Sequence, residues 1–389
     1  MNGRAVSQWR SAEMGWVGHV GALHFHSLLQ PPKITSLSTS KKLQLLQPSL
    51  SRRSTICPLS SRRFSIQATA KKGLSTSALP IVARKENNGN LVTERYAVVT
   101  GANKGIGLET AKQLASQGIR VILTARNEQR GLEVVSKLHE LGLPNVVFHQ
   151  LDVLDPVSID SLAKFIADKF GRLDILVNNA GASGVVVDEE GLRALNIDPS
   201  SWLSGKATNL VQSVIKTNNE KAEECLNTNY YGLKGVTESL LPLLQKSLGG
   251  ARIVNVSSLR SELKRIPGEH IRKELGDVAN LSEKKIDALL KRFLHDLKED
   301  RLEENGWTMM LPSYSISKAS VNAYTRILAR KHPKMYINCV HPGYVDTDIN
   351  WHTGTMTVEE GARGSLKLAL LPDGGPTGCY FDQTELAEF

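Results

Sequence analysis

Cysteine is scarce in this chain of 389 residues: there are four, at Cys57, Cys225, Cys339 and Cys379. So few thiols exclude a disulfide-stapled scaffold, and no pair of them has the spacing of a zinc-ligand motif. The ten histidines are dispersed as well. We therefore expect reduced, structural thiols and no metal site.

Acidic residues are almost missing from the N-terminal segment, where residues 1–85 contain thirteen Lys or Arg and one acid, Glu13. The formal charge of +9 therefore belongs to this segment, and the rest of the chain is slightly acidic. This uneven placement removes the main support for a nucleic-acid partner. The segment also lacks an apolar run long enough to span a membrane, so we expect no membrane span.

The same N-terminal segment is rich in Ser, Thr, Arg and Lys, which is typical of an organelle transit peptide. Residues 62–70 read Arg-Arg-Phe-Ser-Ile-Gln-Ala-Thr-Ala, typical of a plastid processing region. We predict a leader over residues 1–93, a folded domain over 94–389, and a plastid location. The alternative is a disordered extension, not a working leader, on a cytoplasmic protein.

A short apolar run, a glycine-rich turn and a helical pattern follow one another after the leader. Residues 96–100 have strand length, residues 101–107 read Gly-Ala-Asn-Lys-Gly-Ile-Gly, and apolar residues then recur at helical spacing. Glycines allow a tight turn and close backbone approach, while the helix N-terminus offers free N–H groups. The pattern predicts a cradle for the phosphates of a dinucleotide.

A second apolar run, residues 120–124, ends at Ala125-Arg126. NAD-binding proteins place an acid at the end of this strand, where it binds the ribose 2′-hydroxyl. Here no acid is present, and Arg126 and Lys104 are cations instead. They favour a 2′-phosphate and hence NADP; the alternative is that Arg126 only faces solvent.

Two more runs of strand length follow, residues 146–151 and 173–177, and Asp152 comes directly after the first. Between them, Asp155-Pro156 opens an amphipathic helix. Apolar strands that alternate with such helices predict an α/β fold. We expect a single Rossmann-type, doubly wound parallel sheet of about seven strands.

Tyr314 and Lys318 are four residues apart, so a helix would place both on one face. An ammonium beside a phenol favours the phenolate and would lower the tyrosine pKa toward the range useful for proton transfer. Taken alone, the pair also fits a solvated helix edge.

In combination these motifs resemble the short-chain dehydrogenase/reductase family over roughly residues 94–385. The motifs appear in the family's order: the glycine turn, Asn178-Asn179-Ala180-Gly181, Asn229, Ser258, the Tyr314–Lys318 pair, and Pro342-Gly343 with Thr347. The resemblance implies four catalytic residues: Asn229, Ser258, Tyr314 and Lys318. It implies that NADP(H) is bound by Gly101, Asn103, Lys104, Gly105, Ile106, Gly107, Arg126, Asp152, Asn179, Ala180, Gly181, Tyr314, Lys318, Pro342, Gly343 and Thr347.

The resemblance also implies a role for each catalytic residue. Tyr314 would protonate the carbonyl oxygen as the nicotinamide delivers hydride, and Ser258 would hold that oxygen. Lys318 would lower the Tyr314 pKa and bind the nicotinamide ribose. Asn229 would position a water that connects Lys318 to solvent.

Within the family, the chain is most similar to plant neomenthol dehydrogenases, salutaridine reductases and animal carbonyl reductases. A long insertion, residues 259–313, supports this similarity. Ser282 is expected to cap a helix in this insertion, and the apolar residues of the helix are Ile286, Leu289, Leu290, Phe293, Leu294 and Leu297.

Many family members form tetramers through the helices that carry Asn229 and Tyr314. The insertion helix is expected to cover one of those faces and leave a monomer.

The function implied is NADPH-dependent reduction of a small apolar ketone or aldehyde of terpenoid, alkaloid or reactive-carbonyl type. Two alternatives stay open: oxidation of a menthol-like alcohol by the same residues, and a non-catalytic NADP(H)-sensing protein. The expected pocket walls are residues 182–216, Met309, Met310, Leu311 and Trp351. The tyrosine at 314 favours carbonyl over C=C reduction.

Overall fold

A computed structural model describes residues 83–85 and 91–389 of the chain. Nearly all of the predicted leader, including the processing region at 62–70, lies outside these residues. Two short antiparallel strands at its C-terminal end are described: β1 (Ala83–Lys85) and β2 (Leu91–Thr93).

The main sheet has eight strands. In chain order they are β3 (Tyr96–Val99), β4 (Arg120–Ala125), β5 (Val146–Gln150), β6 (Ile175–Asn178), β9 (Arg252–Val256), β10 (Tyr336–His341), β11 (Tyr380–Asp382) and β12 (Glu385–Ala387), while β7 (Val186–Val187) and β8 (Ile215–Lys216) form a separate pair. Their spatial order is β12-β11-β10-β9-β6-β3-β4-β5, with β12 antiparallel and the others parallel. The predicted parallel sheet of about seven strands is confirmed, with an antiparallel strand added at one edge.

Twelve α-helices occur in the described part of the chain. They are α1 (Gly105–Ser116), α2 (Glu128–Glu140), α3 (Pro156–Phe170), α4 (Glu189–Ala194), α5 (Pro199–Ser204), α6 (Thr208–Val211), α7 (Asn219–Leu226), α8 (Leu233–Leu244), α9 (Glu269–Gly276), α10 (Glu283–Lys298), α11 (Pro312–Lys331) and α12 (Val358–Ala369). A π-helical turn, Asn227–Gly232, joins α7 to α8.

The sheet has an apolar core on each face. Residues such as Leu114, Leu138 and Leu368 pack α1, α2 and α12 on one side. On the other side lie α3, α8 and α11, with residues such as Leu162 and Ile327 in the core. Strands buried on both faces explain why their sequences are continuous apolar runs.

The insertion contains the helix predicted for it. Ser282 caps α10 by accepting a hydrogen bond from the Lys285 N–H, 3.4 Å away. The apolar face of α10 packs on α7 and α11, and Phe293 is fully buried against Trp307 with 5.3 Å between ring centroids. No helix in residues 91–389 is long and apolar enough to cross a membrane.

Candidate active site

The strand order reverses beside β3, so the loops after β3 and β6 diverge and leave a crevice at the carboxyl ends of the strands. A cleft of about 780 Å³ lies there. Of the predicted site residues, only Asn229 is absent from its lining; it is fully buried and contacts the cleft wall at Ala182. The structure therefore brings the separate sequence motifs to one place.

Tight packing between two loops shapes the glycine turn. The Asn179 side chain donates hydrogen bonds to the main-chain oxygens of Thr100 (2.9 Å) and Gly101 (3.1 Å). The Thr100 hydroxyl accepts the N–H groups of Asn179 and Ala180. A Cβ on Gly107 would lie 2.3 Å from Asn179 Nδ2, so only glycine fits there. Gly101 needs its positive φ of 61° for the turn.

Arg126 follows β4 directly and lines the cleft. Arg130, in α2, and Lys104, in the glycine turn, are cations that line the cleft as well. Lys104 forms an ion pair with Asp348 on the loop after β10, and both side chains are more than half exposed. Arg130 was not predicted from the sequence; its position four residues after Arg126, in the first turn of α2, is a signal that could have found it.

Tyr314 lies in the first turn of α11, and Lys318 follows one turn later. The Lys318 ammonium donates a hydrogen bond to the Val256 carbonyl oxygen at 2.8 Å and lies 5.7 Å from the Tyr314 ring centroid. The spacing of four thus places both residues on the cleft side of one helix.

Ser258 is positioned by the turn that follows β9. Its hydroxyl oxygen accepts the Arg260 N–H at 3.1 Å, and Ser258 lines the cleft together with Tyr314 and lowers the pKa of that tyrosine. The adjacent Ser257 donates instead to Asn322 Oδ1 of α11 at 2.5 Å. Ser258 is therefore the serine that reaches the tyrosine.

The two titrating groups have shifted pKa values. Burial raises the pKa of Tyr314 to about 12, and the hydrogen bond from Ser258 opposes this more weakly. Burial lowers the pKa of Lys318 to about 8. Desolvation of the phenolate is thus the largest influence on the Tyr314 pKa, while the lowering by Lys318 that the sequence predicts stays a prediction. A protonated tyrosine at neutral pH suits a proton donor.

Asn229 lies in the π-helical turn, a local distortion that often occurs at functional sites. Its Oδ1 accepts the Ala182 N–H at 2.8 Å, and its Nδ2 donates to the Ala182 oxygen and to Ser317 Oγ. Asn229 Oδ1 and Lys318 Nζ both lie beside Gly181. A Cβ built on this glycine would be 3.4 Å from Asn229 Oδ1 and 3.7 Å from Lys318 Nζ. The Asn229 side chain thus holds the main chain at Ala182, where the cleft wall begins, and it also lies close to Lys318.

The loop after β10 closes the cleft opposite the glycine turn. Gly343 has a φ of 96°, and a Cβ there would meet Met356 Sδ at 2.3 Å. The Thr347 methyl lies 3.4 Å from the Cβ position of Gly105, so the two loops meet at this point.

A lid, residues 182–216, forms the wall on the substrate side. It has a small core of its own that includes Leu192, Trp202 and Val211. Trp202, Leu311 and Trp351 line the cleft as expected, but the two methionines do not. Met310 is buried in the lid core and Met309 is 39% exposed. The next residue, Leu311, has a positive φ of 51°.

Comparisons with known proteins agree with this architecture. A family model described as short chain dehydrogenase matches residues 95–269. Short-chain dehydrogenase/reductase 1 of Saponaria officinalis is 52% identical over 306 residues, 78% of this chain and 99% of the relative. The (+)-neomenthol dehydrogenase of Arabidopsis thaliana is 48% identical over 76% of this chain and 99% of its own.

A solved structure, salutaridine reductase from Papaver somniferum, superposes with a TM-score of 0.69 at 48% identity. The match covers 74% of this chain and 99% of that structure's chain. The protein is a Rossmann-fold oxidoreductase. It belongs to the short-chain dehydrogenase/reductase family, in the plant subgroup of the neomenthol dehydrogenases and salutaridine reductases.

Proposed function

We propose that this protein reduces a ketone or aldehyde to an alcohol with NADPH. The observation that carries the proposal is that Ser258, Tyr314 and Lys318 line one cleft, with the Lys318 ammonium 5.7 Å from the Tyr314 ring centroid. The relatives, whose names describe dehydrogenases and reductases, support the same reaction class.

The cleft fits a dinucleotide. The glycine turn leaves no room for a Cβ at Gly107 and opens the N-terminus of α1 toward the cleft, as a bound pyrophosphate requires. We assign Arg126 and Lys104 to the 2′-phosphate; a phosphate there would compete with Asp348 for Lys104. When bound, NADPH supplies the hydride for the carbonyl carbon.

The protein's own groups handle the oxygen and its proton. Tyr314, protonated at neutral pH, donates a proton to the carbonyl oxygen while the Ser258 hydroxyl binds that oxygen as negative charge develops. Lys318 binds the nicotinamide ribose and stabilises the charge left on Tyr314. Asn229, close to Lys318, places a water that carries protons in from solvent.

The same residues run in reverse would oxidise a menthol-like alcohol, the second candidate, which the neomenthol dehydrogenase relative supports. A third, non-catalytic NADP(H) sensing, is less well supported because the tyrosine, lysine and serine are all present. NADPH oxidation by the full chain with a panel of ketones and aldehydes, and NADP⁺ reduction with the matching alcohols, separates the three.

Tyr314→Phe tests the assigned acid. General acid catalysis contributes on the order of 10²–10⁴ in rate, so this variant should lose that much turnover yet bind NADPH as the unaltered protein does. NADPH binding is read from its fluorescence. Unchanged turnover would show that another group donates the proton.

We also propose that the protein acts in the plastid as a monomer. The basic, acid-poor composition of residues 1–85 supports the location. A fluorescent fusion of residues 1–93 tests it, and a purely cytoplasmic signal would contradict it.

A further inference from the structure

Arg260 is a buried cation on the wall of the cleft, two residues after Ser258. Its side chain is only 8% exposed, and its Nη2 donates a hydrogen bond to the Trp202 carbonyl oxygen of the lid. Burial of a guanidinium is costly unless the group is paired.

No carboxylate within the described part of the chain forms an ion pair with Arg260. The nearby Glu262 pairs with Lys264 and Arg265 instead. A guanidinium has five N–H donors, and Trp202 takes up one of its nitrogens. Its other two nitrogens are not among the buried atoms that lack a hydrogen-bond partner. Because Arg260 lines the cleft, its remaining donors are accessible from there.

Arg260 is also close to the reacting centre. Its main-chain N–H donates a hydrogen bond to the Ser258 hydroxyl at 3.1 Å, and Tyr314, Tyr344 and Trp202 line the same cleft. The other walls near the tyrosine include Leu311 and Trp351, which are apolar. This part of the cleft wall thus combines apolar side chains with the guanidinium of Arg260 as a strong donor.

We propose that Arg260 is a specificity-determining residue that binds an oxygen acceptor on the substrate, most strongly a carboxylate, away from the carbonyl being reduced. The substrate class is then an oxygenated ketone or aldehyde with an apolar body, not a plain hydrocarbon ketone. The inference rests on the proposed function, because it concerns the same cleft.

The test uses three cyclohexanones that carry, at carbon 4, a carboxylate, a carboxamide or an isopropyl group. These groups are similar in size and too far from the ketone to change its reactivity much. A hydrogen bond to a charged group is worth about 1.5–3 kcal/mol, so kcat/KM should favour the carboxylate over the isopropyl ketone by about 10- to 100-fold.

Three variants of the full chain separate recognition from support of the lid. Arg260→Met should abolish the preference for the carboxylate. Arg260→Gln, which can still donate to the Trp202 oxygen, should lose the carboxylate preference while it retains the lid contact. Arg265→Met is the matched control: Arg265 donates to the Leu203 oxygen at 2.8 Å but does not line the cleft, so the substrate ratio should not change.

The measured quantity is the ratio of kcat/KM for the carboxylate ketone to kcat/KM for the isopropyl ketone. If this ratio is the same in the unaltered protein, Arg260→Met and Arg260→Gln, the inference is overturned. The proposed function would then still stand, because the ketones would still be reduced. An equal fall in the ratio in Arg265→Met would also overturn it, because lid support would then set the preference. Absence of turnover with all three ketones would overturn the proposed function, and this inference with it.

Discussion

Lys318 carries its charge where water has little access, and its pKa is about 8 as a result. Reduction needs the ammonium form, which stabilises the developing tyrosinate, so kcat/KM should fall as the pH rises through about 8. The Tyr314 pKa of about 12 is too high to produce this limb. Initial rates at saturating NADPH from about pH 6 to about pH 10 measure it.

Lys318→Met is the control for this assignment. It should remove the limb near pH 8 from whatever activity remains, because the titrating group is gone. A limb that persists at the same pH in the variant would assign the titration to a different residue.

Arg126 tests cofactor choice at a single position. Replacement by Asp puts an acid where NAD enzymes hold the ribose hydroxyls and removes a phosphate ligand. The ratio of kcat/KM for NADPH to that for NADH should fall about 10- to 100-fold, the worth of one charged hydrogen bond. Arg363→Asp makes the same charge change on an exposed part of α12 outside the cleft, and should leave the ratio unchanged.

Elements with strong local signals were predictable from the sequence. The apolar run at 120–124 is β4 in the structure, extended by one residue to Ala125. Asp155 caps α3 by accepting the Val157 N–H at 2.9 Å, as the Asp-Pro pair indicated. These features depend on neighbouring residues in the sequence, which is why the sequence alone shows them.

Features that depend on distant packing were not predictable. Spacing places Lys318 beside Tyr314, but only the burial in the folded chain sets the direction of the tyrosine pKa. Met310 is an apolar residue of the kind that lines pockets, but in the structure it packs in the lid core. Arg260, in an exposed-looking polar stretch, is buried because the lid contacts it through Trp202.

The insertion helix α10 contributes to stability through its apolar face. Phe293 is fully buried, so Phe293→Ala should lower the free energy of unfolding by about 3–5 kcal/mol through lost transfer energy and a cavity. Lys291→Ala changes an exposed residue of the same helix and should stay within about 0.5 kcal/mol. Denaturant unfolding measures both, and equal effects would mean that α10 is not part of the cooperative core.

At the scale of the whole molecule, α10 covers surfaces of two other helices. It packs on α7, next to the turn that carries Asn229, and on α11, which carries Tyr314. The resemblance to the family implies that related proteins pair through these two helices, and here Ile286, Leu289 and Leu290 already bury against them. A second copy would have to displace a buried apolar helix in order to bind there.

We therefore expect a monomer. Light scattering of the full chain at micromolar concentration should give a mass near 42.6 kDa. Phe293→Ala provides a further check, because a loosened α10 would uncover the α7 and α11 faces and favour association at higher concentration. A dimeric or tetrameric mass for the unaltered chain would contradict the prediction and would mean that association uses a face other than the one that α10 covers.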